Sequence, residues 1–143
     1  MKFEKSKWTG CPIRYAAEII GDKWTFLILR DLMFRDKSSY TALLQSSEKI
    51  STNILADRLR KLEKHCMLEK SVDADNKKQF IYALSKKGLD LMPTMLSLFA
   101  WSYEYDDETH LPASLVGEAK RDPGGLAKQF REGKTLVLNA AKI

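Results

Sequence analysis

The sequence predicts a mainly helical fold with one small β-hairpin. Several capped segments carry apolar residues at helical spacing, and two short alternating runs flank a polar turn. A long apolar segment follows that turn. The elements can be justified in chain order. Residues 12–20, PIRYAAEII, open on a proline, which suits a first helical turn because its missing N–H has no partner there anyway. Gly21 interrupts, and Asp22 can cap a second helix over 23–34, where Trp24, Leu27, Ile28 and Leu32 share a face. A polar turn, RDKSS, leads to a short helix at 40–47 capped by Ser38 or Ser39, with Tyr40, Leu43 and Leu44 facing inward.

Ser51 then opens the most informative helix, 52–65. Leu55, Leu59 and Leu62 form one stripe that Cys66 extends, which predicts Cys66 in the core. Asn53, Asp57, Arg60 and Lys64 lie opposite. Residues 68–72 and 79–84 alternate around DADNKK and read as the hairpin. Phe80 and Tyr82 share a strand face expected to pack on the helices. Ser85 caps a long helix, 86–105, that Pro93 should kink. Its centre is apolar all round, more than one core face needs, and a second copy of the chain is the simplest cover. Beyond His110, ASLVGEAKR reads as a short helix, DPGG as a turn and LAKQF as another short helix. The final TLVLNAAKI is apolar without a clear period.

Composition narrows the function. Net charge is +5, and the body is more basic still, because Glu104, Asp106, Asp107 and Glu108 concentrate acid in one stretch. That balance favours an anionic partner. No apolar run approaches the roughly 20 residues needed to cross a bilayer. The charged start does not read as a secretory signal, so a cytoplasmic protein with no membrane partner is expected. Two cysteines and two histidines at unrelated spacings make neither a disulfide framework nor a metal site. Without a Gly-rich phosphate loop or a Gly-x-Ser-x-Gly motif, neither an enzyme nor a cofactor is expected.

Helix, helix, short helix, capped helix and hairpin, in that order, make a helix-turn-helix followed by a wing. The start of the capped helix is what a major-groove reader needs, polar outward and apolar behind. Asn53 suits adenine, and Thr52 can bond a base or touch a thymine methyl. Ala56 permits close approach, Arg60 can reach guanine or phosphate, and Asp57 can accept from cytosine. Lys61 adds charge, whereas Arg58 lies nearer the buried stripe and can serve DNA or hold a neighbouring carboxylate. Lys77 and Lys78 at the hairpin tip can meet phosphate, as can the helix start at Ser38 and Ser39. Each of these surfaces alone also fits a plain solvated face. A winged-helix module that docks on protein and has lost DNA binding is the alternative.

The ordered residues resemble a known family. Cys11, Pro12, Gly21, Lys23, Trp24, Leu29 and Arg30 match the opening of the HxlR-type transcriptional regulators, relatives of the MarR group. Ile50, Ser51, Leu55, Arg58, Leu59, Leu62 and Glu63 continue the match, and Tyr82, Leu84, Gly88, Leu91, Pro93 and Trp101 close it. The resemblance spans about residues 8–106. It implies a winged helix-turn-helix homodimer paired through its first and last helices on roughly palindromic duplex DNA. The dimer residues would be Ile13, Tyr15 and Ala16 with Leu96, Phe99, Trp101 and Tyr103. Two departures stand out. The family's Gly-x-x-Arg-Phe is replaced by RDKSSY, and no glycine follows the reading helix at His65-Cys66-Met67-Leu68.

Cys11 occupies the position that several members use as a redox or electrophile sensor. A helix N-terminus favours thiol reactivity, yet packing as a small apolar residue is the other reading. Trp24 and Trp101 can likewise serve packing or line a ligand pocket between subunits, for an effector the sequence does not identify. Residues 1–110 are expected to form the DNA-binding and dimerisation domain, with 111–143 a mainly helical extension.

Overall fold

The computed structural model describes residues 9–133, so the expectations for the charged start and for TLVLNAAKI lie outside the described residues. The elements run α1 (Pro12–Ile20), α2 (Lys23–Phe34), α3 (Tyr40–Leu44), α4 (Thr52–Lys64), β1 (Leu68–Val72), β2 (Phe80–Leu84), α5 (Lys86–Leu89), α6 (Met92–Tyr105), α7 (Ala113–Arg121) and α8 (Pro123–Arg131). They fall into two compact units. One runs to Leu32 and from Asp36 to Gly88; the other combines Met33–Arg35 with the chain from Leu89.

The first unit is a winged helix-turn-helix. Leu55, Leu59 and Leu62 of α4 are buried with Ile28 and Leu29 of α2 and Leu43 of α3, as a one-sided leucine stripe requires. Strands β1 and β2 pair antiparallel, Leu68 opposite Leu84 and Val72 opposite Phe80. Ser39 adds a bridge to Ile81, and the Tyr82 amide donates to the Ser38 carbonyl at 2.7 Å. The wing is thereby tied to the segment just before α3. The hairpin packs on helices only at its base, where Leu68 and Tyr82 are buried. Phe80 was expected to pack there too, but it is 44% exposed, covered by the Lys70 ammonium 3.9 Å from its ring centroid. It sits at the far end of the strand pairing, beyond the reach of the helical core.

Cys66 corrects a second expectation, for it is exposed rather than buried. It ends α4 in a left-handed conformation, φ 59°. Its amide donates to the Glu63 carbonyl and that of Met67 to the Leu62 carbonyl, both at 2.9 Å, the Schellman pattern that glycine usually serves. A side chain in this region carries steric strain. Cys66→Gly should therefore stabilise the fold, by about 0.5–1 kcal/mol, visible as a higher denaturant midpoint at unchanged slope.

In the second unit α6 packs on α7 and α8. Phe34 joins them, its ring 4.9 Å from Phe99 and 5.3 Å from Phe130. Pro93 does not kink a long helix. The chain turns at Asp90 and Leu91, and Pro93 sits in the first turn of a new helix, where no N–H is required. DPGG is likewise a helix start rather than a turn. The Asp122 carboxylate accepts from the Gly125 amide at 2.9 Å, and Pro123 opens α8. Among the described residues no helix is long and apolar enough to cross a membrane.

Candidate nucleic-acid interface

The interface is built on the first turn of α4. The Ser51 hydroxyl accepts from the Ile54 amide at 3.3 Å and fixes the helix start, while the Tyr40 hydroxyl donates to the Thr52 carbonyl at 3.2 Å and braces α3 on it. Thr52, Asn53, Asp57 and Arg60 are exposed, and Ala56 and Lys61 are half-buried. Asn53, Ala56, Asp57, Arg60 and Lys64 follow one helical face opposite the buried leucines. Lys77 and Lys78 are exposed in the hairpin loop, whose shape is held by the Asn76 carboxamide oxygen accepting from the Lys78 amide at 3.2 Å. Ser38 is exposed, but the Ser39 hydroxyl is occupied in capping α3, accepting from the Ala42 amide at 3.1 Å.

Arg58 does what its place beside the leucine stripe allowed. Its Nε donates to Asp22 at 3.1 Å and its Nη1 to Asp57 at 2.6 Å. Asp22 is already the cap of α2, accepting from the amides of Trp24 and Thr25 and from the Thr25 hydroxyl. Partial burial pushes the Asp22 carboxyl up, but the bonds from Thr25 and Arg58 outweigh it and hold it below the usual carboxylate range. The guanidinium therefore locks α4 to the corner before α2. It also offsets the negative charge of Asp57, the acid among Asn53, Ala56, Arg60 and Lys64 on the outward face.

A second brace was not legible in the sequence. Arg30 is 7% exposed near the end of α2 and donates twice to Glu48, at 2.5 and 2.9 Å, in the loop leading to α4. Its Nε also donates to buried Asp31 at 2.9 Å. Ser46 donates to Asp31 as well, and the Lys37 ammonium approaches at 4.0 Å. The Arg30 hydrogen bonds hold the Glu48 carboxyl down at about 2, against an ordinary 4.5. A depressed pKa gives stability that is complete above the unfolded value and lost as pH falls through 4.5 towards 2. An acid titration of stability should therefore show a Glu48 contribution in that window, absent from Glu48→Gln.

The expected dimer residues divide. Ile13 is 75% exposed, Tyr15 is exposed and Ala16 half-buried. Trp101 is 64% exposed and Tyr103 is exposed. Leu96, however, is fully buried within its own chain with Met92, Met95 and Ala100, so it is a core residue and not a contact surface. Phe99 is half-buried against Phe34. The outward apolar face of α6 is Leu98, Trp101 and Tyr105, at spacing i, i+3, i+7. The sequence carries that spacing, but the neighbouring stripe through Leu96 is equally apolar and competes with it. Trp24 lines a void of about 10 Å³, room for a water and far too small for an organic effector. Cys11 is exposed just before Pro12, its carbonyl accepting from the Tyr15 amide at 3.1 Å.

An exposed, capped and twice-braced polar helix, followed by a hairpin that exposes Lys77 and Lys78 in its loop, is the arrangement of a winged helix-turn-helix transcriptional regulator. The comparisons agree with that class. A family model described as HxlR-like helix-turn-helix matches residues 19–110. The HTH-type transcriptional regulator YodB of Bacillus subtilis is 30% identical over 98 residues, 68% of this chain and 87% of its own length. An HTH-type transcriptional regulator of Synechocystis is 26% identical over 106 residues, 74% and 78% of the two chains. Among solved structures, the candidate transcription factor PA1607 superposes with a TM-score of 0.64 at 32% identity, over 73% of this chain and 74% of that one. Reduced YodB gives 0.57 at 28%, over 68% and 95%. The chain belongs to the HxlR-like helix-turn-helix family.

Proposed function

We propose that this chain is a sequence-specific duplex-DNA-binding regulator that acts as a homodimer on a roughly palindromic operator. The observation that carries the reading is the outward face of α4, with Asn53, Ala56 and Arg60 presented together on a helix braced at Asp22 and Tyr40. Each subunit places that face in a major groove, the two about one helical turn apart. Lys77 and Lys78 track the flanking backbone. Pairing uses the exposed residues of α1 and the Leu98, Trp101 and Tyr105 face of α6. The protein works in the cytoplasm without catalysis or a cofactor.

Cys11 supplies the second half of the proposal, a thiol whose oxidation alters DNA affinity. Its exposure beside the α1 surface supports this, as does the similarity to YodB, whose structure has been determined both reduced and after diamide treatment. Fluorescence anisotropy on duplexes from upstream of its own gene and neighbouring genes, across a salt series, tests both halves. Tight sequence-selective binding with a steep negative salt slope is expected, together with a redox difference lost in Cys11→Ser. Weak binding that is equal on all sequences would favour the protein-docking module instead.

A further inference from the structure

We infer that Lys87 couples the first helix to the reading helix, so that a displacement of α1 reaches the C-terminal end of α4 through the Lys87 ammonium group. The Lys87 Nζ donates to the Tyr15 hydroxyl of α1 at 2.9 Å and to the His65 carbonyl at the end of α4, also at 2.9 Å. It lies 5.4 Å from the Tyr15 ring centroid. A cation is favoured at that carbonyl, because helix C-termini carry partial negative charge and carbonyls without helical partners. The close seat of α5 is what brings Lys87 there. A Cβ on Gly88 would stand 2.2 Å from the Met67 carbonyl oxygen, so only glycine lets α5 approach the α4–β1 turn.

The second tie is independent of the first. Asp22, directly after the Gly21 that ends α1, holds Arg58 in the middle of α4. Thus α4 is fastened at two points to the α1 helix and the corner that follows it. A helix held at two points moves as a body when its holder moves, whereas a helix held at one point can pivot. Tyr15 lies one turn from Cys11 on an exposed helix. Pairing of subunits there, or modification of the thiol, would act on α1 and be felt at α4.

The inference rests on the DNA-reading proposal for its consequence, but not for its test. Lys87→Met keeps the aliphatic stem and removes the donors, and Tyr15→Phe removes only the hydroxyl. Each single change should weaken operator binding about three- to tenfold, and the double should be no weaker than Lys87→Met alone. The salt slope of Lys87→Met should match that of the wild type. A slope reduced by about one, with Tyr15→Phe silent, would mean that Lys87 is a phosphate contact and would overturn the coupling. Additive single effects would overturn it as well.

Residue-resolved amide exchange in the free protein reads the same link without DNA. Tyr15→Phe should speed exchange at the Cys66 and Met67 amides only while Lys87 is present. If that holds and the wild type binds no duplex, the coupling stands and DNA reading fails. If duplex binding is tight and these amides ignore Tyr15→Phe, the coupling is wrong.

Discussion

Replacing Arg30 with methionine is expected to destabilise the protein by about 3 kcal/mol, although methionine fills much of the same space. The loss does not come from the ion pairs as attractive terms. It comes from what the change leaves behind. Asp31 is 2% exposed and would lose the guanidinium bonded to it while Ser46 and the more distant Lys37 stay in place. A buried carboxylate stripped of its bonded guanidinium cannot rehydrate in place. Glu48 is partly solvent-facing and recovers water, so its share is smaller. The double variant Arg30→Met, Glu48→Gln should therefore cost less than the two singles added together. Arg30→Lys should recover only part of the loss, because a point charge cannot reproduce the two-pronged contact with Glu48. Denaturation of the wild type and these four variants measures all of this. A loss below about 1 kcal/mol for Arg30→Met would show that the groups remaining around Asp31 replace the guanidinium, and would overturn the brace as a source of stability.

That brace also bears on which features a sequence shows. The leucine stripe of α4 was legible because a strict helical period leaves one arrangement that buries all of it. The hairpin followed from two alternating runs around a polar turn. Arg30 was different. It matches the family pattern, but an arginine near the end of an apolar helix ordinarily reads as solvated. Only the long-range approach of Glu48, eighteen residues on, turns it inward. Cys66 misled for a related reason. Counting by helical period extends the stripe to it, yet the period ends where the backbone turns left-handed, and nothing in the composition of HCM marks that point without a glycine. DPGG and Pro93 look like interruptions in the sequence, whereas an aspartate cap or a preceding turn makes each the first turn of a helix. At Cys66, Pro93 and DPGG the residue type is plain in the sequence and its position relative to a helix end is not.

The largest effect on function is expected from α4 itself, and its form separates reading from mere attachment. Arg60→Ala should weaken operator binding by about 1–3 kcal/mol if the guanidinium meets a base edge. Its affinity for unrelated duplex should fall less, so selectivity shrinks together with affinity. Asn53→Ala should behave alike at its own base position, since Asn53 and Arg60 share the exposed face. Lys77→Ala and Lys78→Ala should weaken operator and unrelated duplex about equally and reduce the salt slope by about one each, because a phosphate contact releases counterions without reading sequence. Arg58→Ala belongs to neither group. It would leave Asp57 unneutralised on the reading face and unfasten α4 from Asp22, so affinity should drop along with thermal stability. Titrating these variants on one operator and one scrambled duplex at several salt concentrations resolves the pattern. Equal losses on both duplexes for Arg60→Ala would move that residue from base reading to backbone attachment. Unchanged affinity on both would remove Arg60 from the contacts altogether.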